Sequence, residues 1–196
     1  DLLGSLHAAA AAVDPGLADL AARVREAFGQ DDLQTLLVDY TRLFLGPVQA
    51  LARPYGSVWI DKPTEVMQDS TADVMALYAA GGFEIDEEFR ELPDHVAAEL
   101  EFLYLLTFRA LQARAGADGA ALAEANALRS RLLTEHLSAW STPFTNAVSA
   151  GAQTAFYRTL AALTDAYLQM EAAAPGACRA TGTSWRRAPR PGSGST

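Results

Sequence analysis

Apolar residues recur at helical spacing along most of the chain. Leu17, Leu20, Ala21, Val24 and Phe28 share one face of a segment that follows the turn Asp14-Pro15-Gly16. Leu33, Leu36, Leu37, Tyr40, Leu43 and Phe44 repeat the three-and-four spacing until Gly46-Pro47 stops it. From 47 to 64, Pro47, Pro54, Gly56 and Pro63 predict a long loop in extended and turn conformations. Asp69-Ser70-Thr71 offers capping side chains to a helix that carries Val74, Leu77 and Tyr78 and ends at Gly81-Gly82.

Beyond Pro93 the pattern changes. Val96, Leu100, Phe102, Leu103, Tyr104, Leu105, Leu106 and Phe108 cover nearly the whole circumference of a helix, which predicts a central element packed from several sides. Pro93 suits its first turn, where a missing N–H costs nothing. Leu122, Leu128, Leu132, Leu133 and Leu137 mark the next helix, Trp140, Phe144 and Val148 a short one, and Phe156, Leu160, Leu163, Tyr167 and Met170 the last. No sustained period-two alternation appears, so the expected class is all-α: a single-domain helical bundle over 1–174. After Pro175 the chain becomes rich in Gly, Ser, Thr, Pro and Arg, a flexible basic tail too poor in apolar surface to offset its ordering.

Composition narrows the function classes. The net charge is −9, and the tail carries four arginines without an acid, so the body is more acidic still. Such a body binds phosphate backbones poorly, which argues against a nucleic-acid partner, and suits a basic peptide. No apolar run approaches the roughly 18 residues of a membrane span. The chain starts without Met, so a trimmed or incomplete N-terminus is expected, and without basic n-region or cleavage motif, so cytoplasmic location is the default. The single cysteine, Cys178, excludes an internal disulfide.

Catalytic signals are missing. No phosphate-cradling glycine loop, nucleophile elbow or zinc-helix motif occurs. His7, His95 and His136 lie on different segments, and no pair has metal-ligand spacing. The expectation is a protein that is not an enzyme and needs no cofactor.

Two segments stand out. The loop Arg53 to Lys62 holds Tyr55, Gly56, Ser57 and Trp59. Its aromatics either plug the core beneath a long connection or line a peptide groove, where such rings give large contact area at low entropy cost. The second segment, Glu91-Leu92-Pro93-Asp94-His95, follows the acids Glu84, Asp86, Glu87 and Glu88. Asp94 there either caps the following helix, with His95 in its first turn, or joins His95 and nearby carboxylates in receiving a ligand's arginines.

These segments carry a resemblance. Tyr40 to Pro47, Tyr55 to Asp61, Asp69-Ser70-Thr71, Pro93-Asp94-His95, His136-Leu137 with Trp140 to Phe144, and Phe156 to Leu160 occur in the order seen in the TorD/DmsD/NarJ family of redox-enzyme maturation chaperones. The likeness covers roughly residues 33 to 170 and is closest to the TorD/DmsD branch. It implies an all-helical domain that binds the twin-arginine leader and catalytic subunit of a molybdenum enzyme until the cofactor is loaded. It also implies that Tyr55, Gly56, Ser57, Trp59, Glu91, Asp94 and His95 form the peptide-binding region. The alternatives are an oligomeric helical scaffold, including a homodimer with swapped elements, and a weak GTP-binding protein.

Overall fold

A computed structural model describes residues 1–46, 50–86 and 88–174. The predicted tail from Pro175, Pro47 of the helix stop and Glu87 of the acidic run lie outside these residues. The described chain is helical, joined by loops and one isolated antiparallel bridge between Tyr55 and His95.

The order begins with α1 (Leu2–Ala11), α2 (Pro15–Phe28) and α3 (Leu33–Tyr40), which runs into a π-helical stretch, Thr41–Leu45. Asp14 caps α2 by accepting from the Gly16 and Leu17 N–H groups at 2.7 and 3.0 Å. The predicted loop 47–64 contains a short helix, α4 (Ser57–Ile60). Helix α5 (Asp69–Ala80) follows. Its predicted caps act differently: Asp61 reaches across the loop, its Oδ2 accepting from the Ser70 N–H at 3.2 Å and hydroxyl at 2.6 Å. Next come α6 (Val96–Ala115) and α7 (Gly119–Arg131). A second π stretch, Leu132–Leu137, joins α7 to α8 (Ser138–Gly151), so the two predicted helices form one continuous rod. Helix α9 (Ala155–Ala173) closes the order.

Two apolar clusters hold these elements. The larger gathers Leu43, Val74, Phe102, Leu103, Leu106, Leu132, Leu133, Leu137 and Trp140, from the first π stretch to α8. The smaller joins Ala10, Leu17, Ala21 and Val24 of α1 and α2 to Leu163 of α9, and Tyr167 packs against both. Helix α9 therefore lies against α2 and α8, while α6 runs along α7. The helix predicted to be central on all sides is not: Phe102, Leu103 and Leu106 of α6 are buried, but Tyr104, Phe108 and Leu111 are exposed. Buried Asp39 of α3 fastens the start of α9. Its carboxylate accepts from the backbone N–H of Gln153 and Thr154 and from the Thr154 hydroxyl, with Arg42 beside it at 2.9 Å. Burial opposes ionisation of Asp39, but these donors outweigh it and lower its pKa.

Candidate functional site

The two segments singled out from sequence meet at the start of α6. Loop residues 54–57 lie beside 94–96: Gly56 N–H donates to the Asp94 carbonyl at 2.8 Å, and Val96 N–H donates to the Pro54 carbonyl at 2.9 Å. The fully buried Asp94 carboxylate accepts from Ser57 N–H at 2.9 Å, which ties α4 to the head of α6. Asp94 thus neither caps α6 nor stands at a rim. The cap is His95, whose Nδ1 accepts from Ala97 N–H at 3.1 Å, so the neutral ring carries its proton on Nε2.

On the outside of this junction, the Tyr55 hydroxyl donates to Glu91 Oε2 at 2.8 Å. The Tyr55 ring meets His95 edge-on, with centroids 5.4 Å apart. Burial, then the bond to Glu91, pushes the Tyr55 pKa up to about 12, so the phenol stays a donor at neutral pH. Burial lowers the pKa of His95, opposed by Glu91 and Asp94. Tyr55, Glu91 and His95 are thus a neutral phenol, a carboxylate and a mostly neutral imidazole at one accessible corner. Gly56, Ser57 and Asp94 are buried beneath them.

His95 also lines an open groove of about 340 Å³, walled mainly by Tyr40, Phe44, Pro54, Val96, Leu100, Phe144, Val148 and Tyr157. The aromatics stack on one another: Phe44 lies 5.8 Å from Tyr157 and 6.3 Å from Phe144 between centroids. Trp59 is half-buried behind that wall. Its ring packs on Phe144 at 6.3 Å, and its Nε1 donates to the Arg53 carbonyl at 2.8 Å. The arrangement suits an apolar segment laid in the groove with polar groups at one end to orient it. Among the described residues, no group of His, Cys, Asp and Glu is placed to hold a metal ion.

Beneath the junction is a polar cluster that the sequence did not reveal. Glu99 of α6, fully buried, meets His136 Nε2 at 2.9 Å and accepts from Trp140 Nε1 at 3.2 Å. Burial raises the Glu99 pKa against the pull of these partners. Burial works against a charged His136, but the bond and charge of Glu99, with Asp94, outweigh it and raise its pKa. Two signals were legible: a glutamate, Glu99, among the apolar residues of a helix, and a His and Trp four residues apart on one face. Their joining across 37 and 41 positions was not.

The family of nitrate reductase delta subunits matches residues 8–146. A chaperone protein TorD of Vibrio cholerae is 28% identical over 148 residues, covering 72% of this chain and 63% of that protein. A TorD of Photobacterium profundum is 27% identical, covering 74% and 65%. A Tat proofreading chaperone DmsD of Salmonella typhi is 28% identical over 146 residues, with coverage of 74% and 65%. The matches span a little under two thirds of the length of these relatives.

Proposed function

The chain belongs to the nitrate reductase delta subunit family, with TorD- and DmsD-type chaperones among its relatives, and from that premise we propose that it is a redox-enzyme maturation chaperone. It binds the twin-arginine leader of a molybdenum-enzyme subunit in the cytoplasm, without catalysis, and holds it until the cofactor is loaded. The observation that carries this reading is the aromatic groove opening beside Tyr55, Glu91 and His95. A leader's apolar run buries its side chains against Tyr40, Phe44, Leu100 and Tyr157, while the corner receives its polar backbone. In this scheme Gly56, Ser57 and Asp94 shape the site from below, and Trp59 braces its wall. Among the described residues, no helix is long and apolar enough to cross a membrane.

Calorimetric titration with leader peptides tests the proposal. Wild-type protein should bind a leader, and Leu100→Gln, on the groove wall, should weaken binding about tenfold, the scale of one lost apolar anchor. Failure to bind leaders from several molybdoenzyme classes would remove the reading. A second reading, a self-associating scaffold, draws on Tyr104, Phe108 and Leu111, which are 62, 46 and 60% exposed along α6. A constant monomer mass across a concentration series by light scattering would dispose of it.

A further inference from the structure

A second cavity, of about 240 Å³, lies where residues 83–86 and Phe89 pass α6, lined by Tyr78, Phe83, Phe89 and Phe102 and by Glu84, Asp86 and Glu101. Its aromatic floor is tightly built. Phe83 meets Phe102 edge-on at 5.3 Å, Tyr78 meets Phe102 at 4.8 Å, and a Cβ on Gly81 would come within 2.9 Å of the Phe83 ring. The three acids are exposed, and no ion pair holds any of them among the described residues.

We infer that this cavity receives arginine side chains of the peptide bound in the apolar groove, an inference that rests on the chaperone reading. A cavity lined by both acids and aromatic rings favours a planar, weakly hydrated cation that can stack and donate in bidentate pairing, which describes guanidinium better than ammonium. The wall already takes one such group. The guanidinium carbon of Arg109 lies 3.8 Å from the Phe83 centroid, and its Nη1 donates to the Gly81 carbonyl.

The two cavities are set for one ligand. At 100° per residue, Val96 and Leu100 of the groove point almost opposite to Ala98, Glu101, Phe102 and Leu105 of the acidic cavity. Exposed Ala97 and Tyr104 lie between them on the solvent side of α6. A helix is about 10–12 Å across and an extended chain rises about 3.3–3.6 Å per residue. On the order of four residues therefore separate arginines in one cavity from apolar side chains in the other.

The test is a titration of two peptides, a twin-arginine leader and the same leader with both arginines changed to glutamine, against wild type and the variant Glu84→Gln/Asp86→Asn/Glu101→Gln. Circular dichroism confirms that the exposed substitutions leave the fold intact. The inference expects wild type to prefer the arginine peptide by about tenfold or more, as for loss of charged hydrogen bonds, and the variant to bind both peptides equally at the weaker affinity. Binding in which the variant keeps the full arginine preference overturns the inference and leaves the chaperone reading standing. Binding by wild type that ignores the arginines overturns it as well. Failure of wild type to bind either peptide overturns the chaperone reading and this inference with it.

Discussion

At Gly56 the backbone passes so close to the buried cluster that an added Cβ would lie 3.1 Å from Trp140 Nε1, 3.2 Å from Glu99 Oε1 and 3.3 Å from His136 Nε2. Trp140 and Glu99 are fully buried, so neither can swing outward. Gly56→Ala should therefore destabilise the fold by about 1–3 kcal/mol, the usual cost of overpacking, and loosen the tie between Tyr55 and His95. Urea denaturation with tryptophan fluorescence measures the first, and amide exchange at Gly56 the second. At this scale the sequence was partly legible. The aromatics and glycine of the 53–62 loop marked it as more than a connection, and Glu91, Asp94 and His95 were recognisable as polar groups at a helix start. The role of Asp94 was not legible, because a capping carboxylate and a buried one look alike until the partner strand of chain is known. Its Oδ2 is taken by Ser57, 37 positions away, and the cap passes to His95.

Helix α9 shows the same division at the level of elements. Its amphipathic spacing is plain in the sequence, yet its own cap residue, Thr154, makes no side-chain cap bond. Asp39, from the far end of α3, instead accepts from the N–H groups of Gln153 and Thr154 just before the helix and fixes the chain where α9 begins. Asp39→Ala leaves Thr154 and Gln153 unsatisfied and should cost about 1–3 kcal/mol, the penalty for losing charged hydrogen bonds to buried donors. Hydrogen exchange should show fraying confined to the first turn of α9, and uniform loss of protection would contradict a local cap. The missed helix α4 belongs to this scale too. Four residues carry no period to read, and α4 stands because Asp94 and Gln68 both hold Ser57 at its start, Asp94 accepting from the Ser57 N–H and the Gln68 amide donating to the Ser57 carbonyl at 3.1 Å. The union of α7 with α8 was hidden for another reason. The π stretch shifts the apolar phase, so one helix reads as two.

For the whole molecule the buried histidine pair predicts how stability follows pH. His136 has its pKa raised by folding, so it contributes stability that is complete below its ordinary value of 6.5 and lost as pH rises through the raised value. Glu99, also raised, acts in the same direction from its ordinary 4.5 upward. His95 is lowered, so its contribution is present above 6.5 and lost as pH falls through the depressed value. Thermal unfolding between about pH 5.5 and 8.5, bracketing the imidazole range, should show both losses. His136→Gln should flatten the alkaline side and His95→Gln the acid side. Unchanged slopes in His136→Gln would show that the pair with Glu99 does not store the proton assigned to it.

The sequence by itself determined the helical class, the positions of most helices and the family likeness, because period 3.6 and turn residues are local properties read without knowing the fold. It also marked Tyr55, Trp59, Glu91, Asp94 and His95 as unusual for a plain bundle. Only the tertiary structure decided which of them face solvent, that α6 leaves Tyr104 and Phe108 uncovered, and that Glu99, His136 and Trp140 meet beneath Gly56. Burial and hydrogen-bond partners depend on which distant segments pack together, and the apolar period of one helix says which face is buried but not against what.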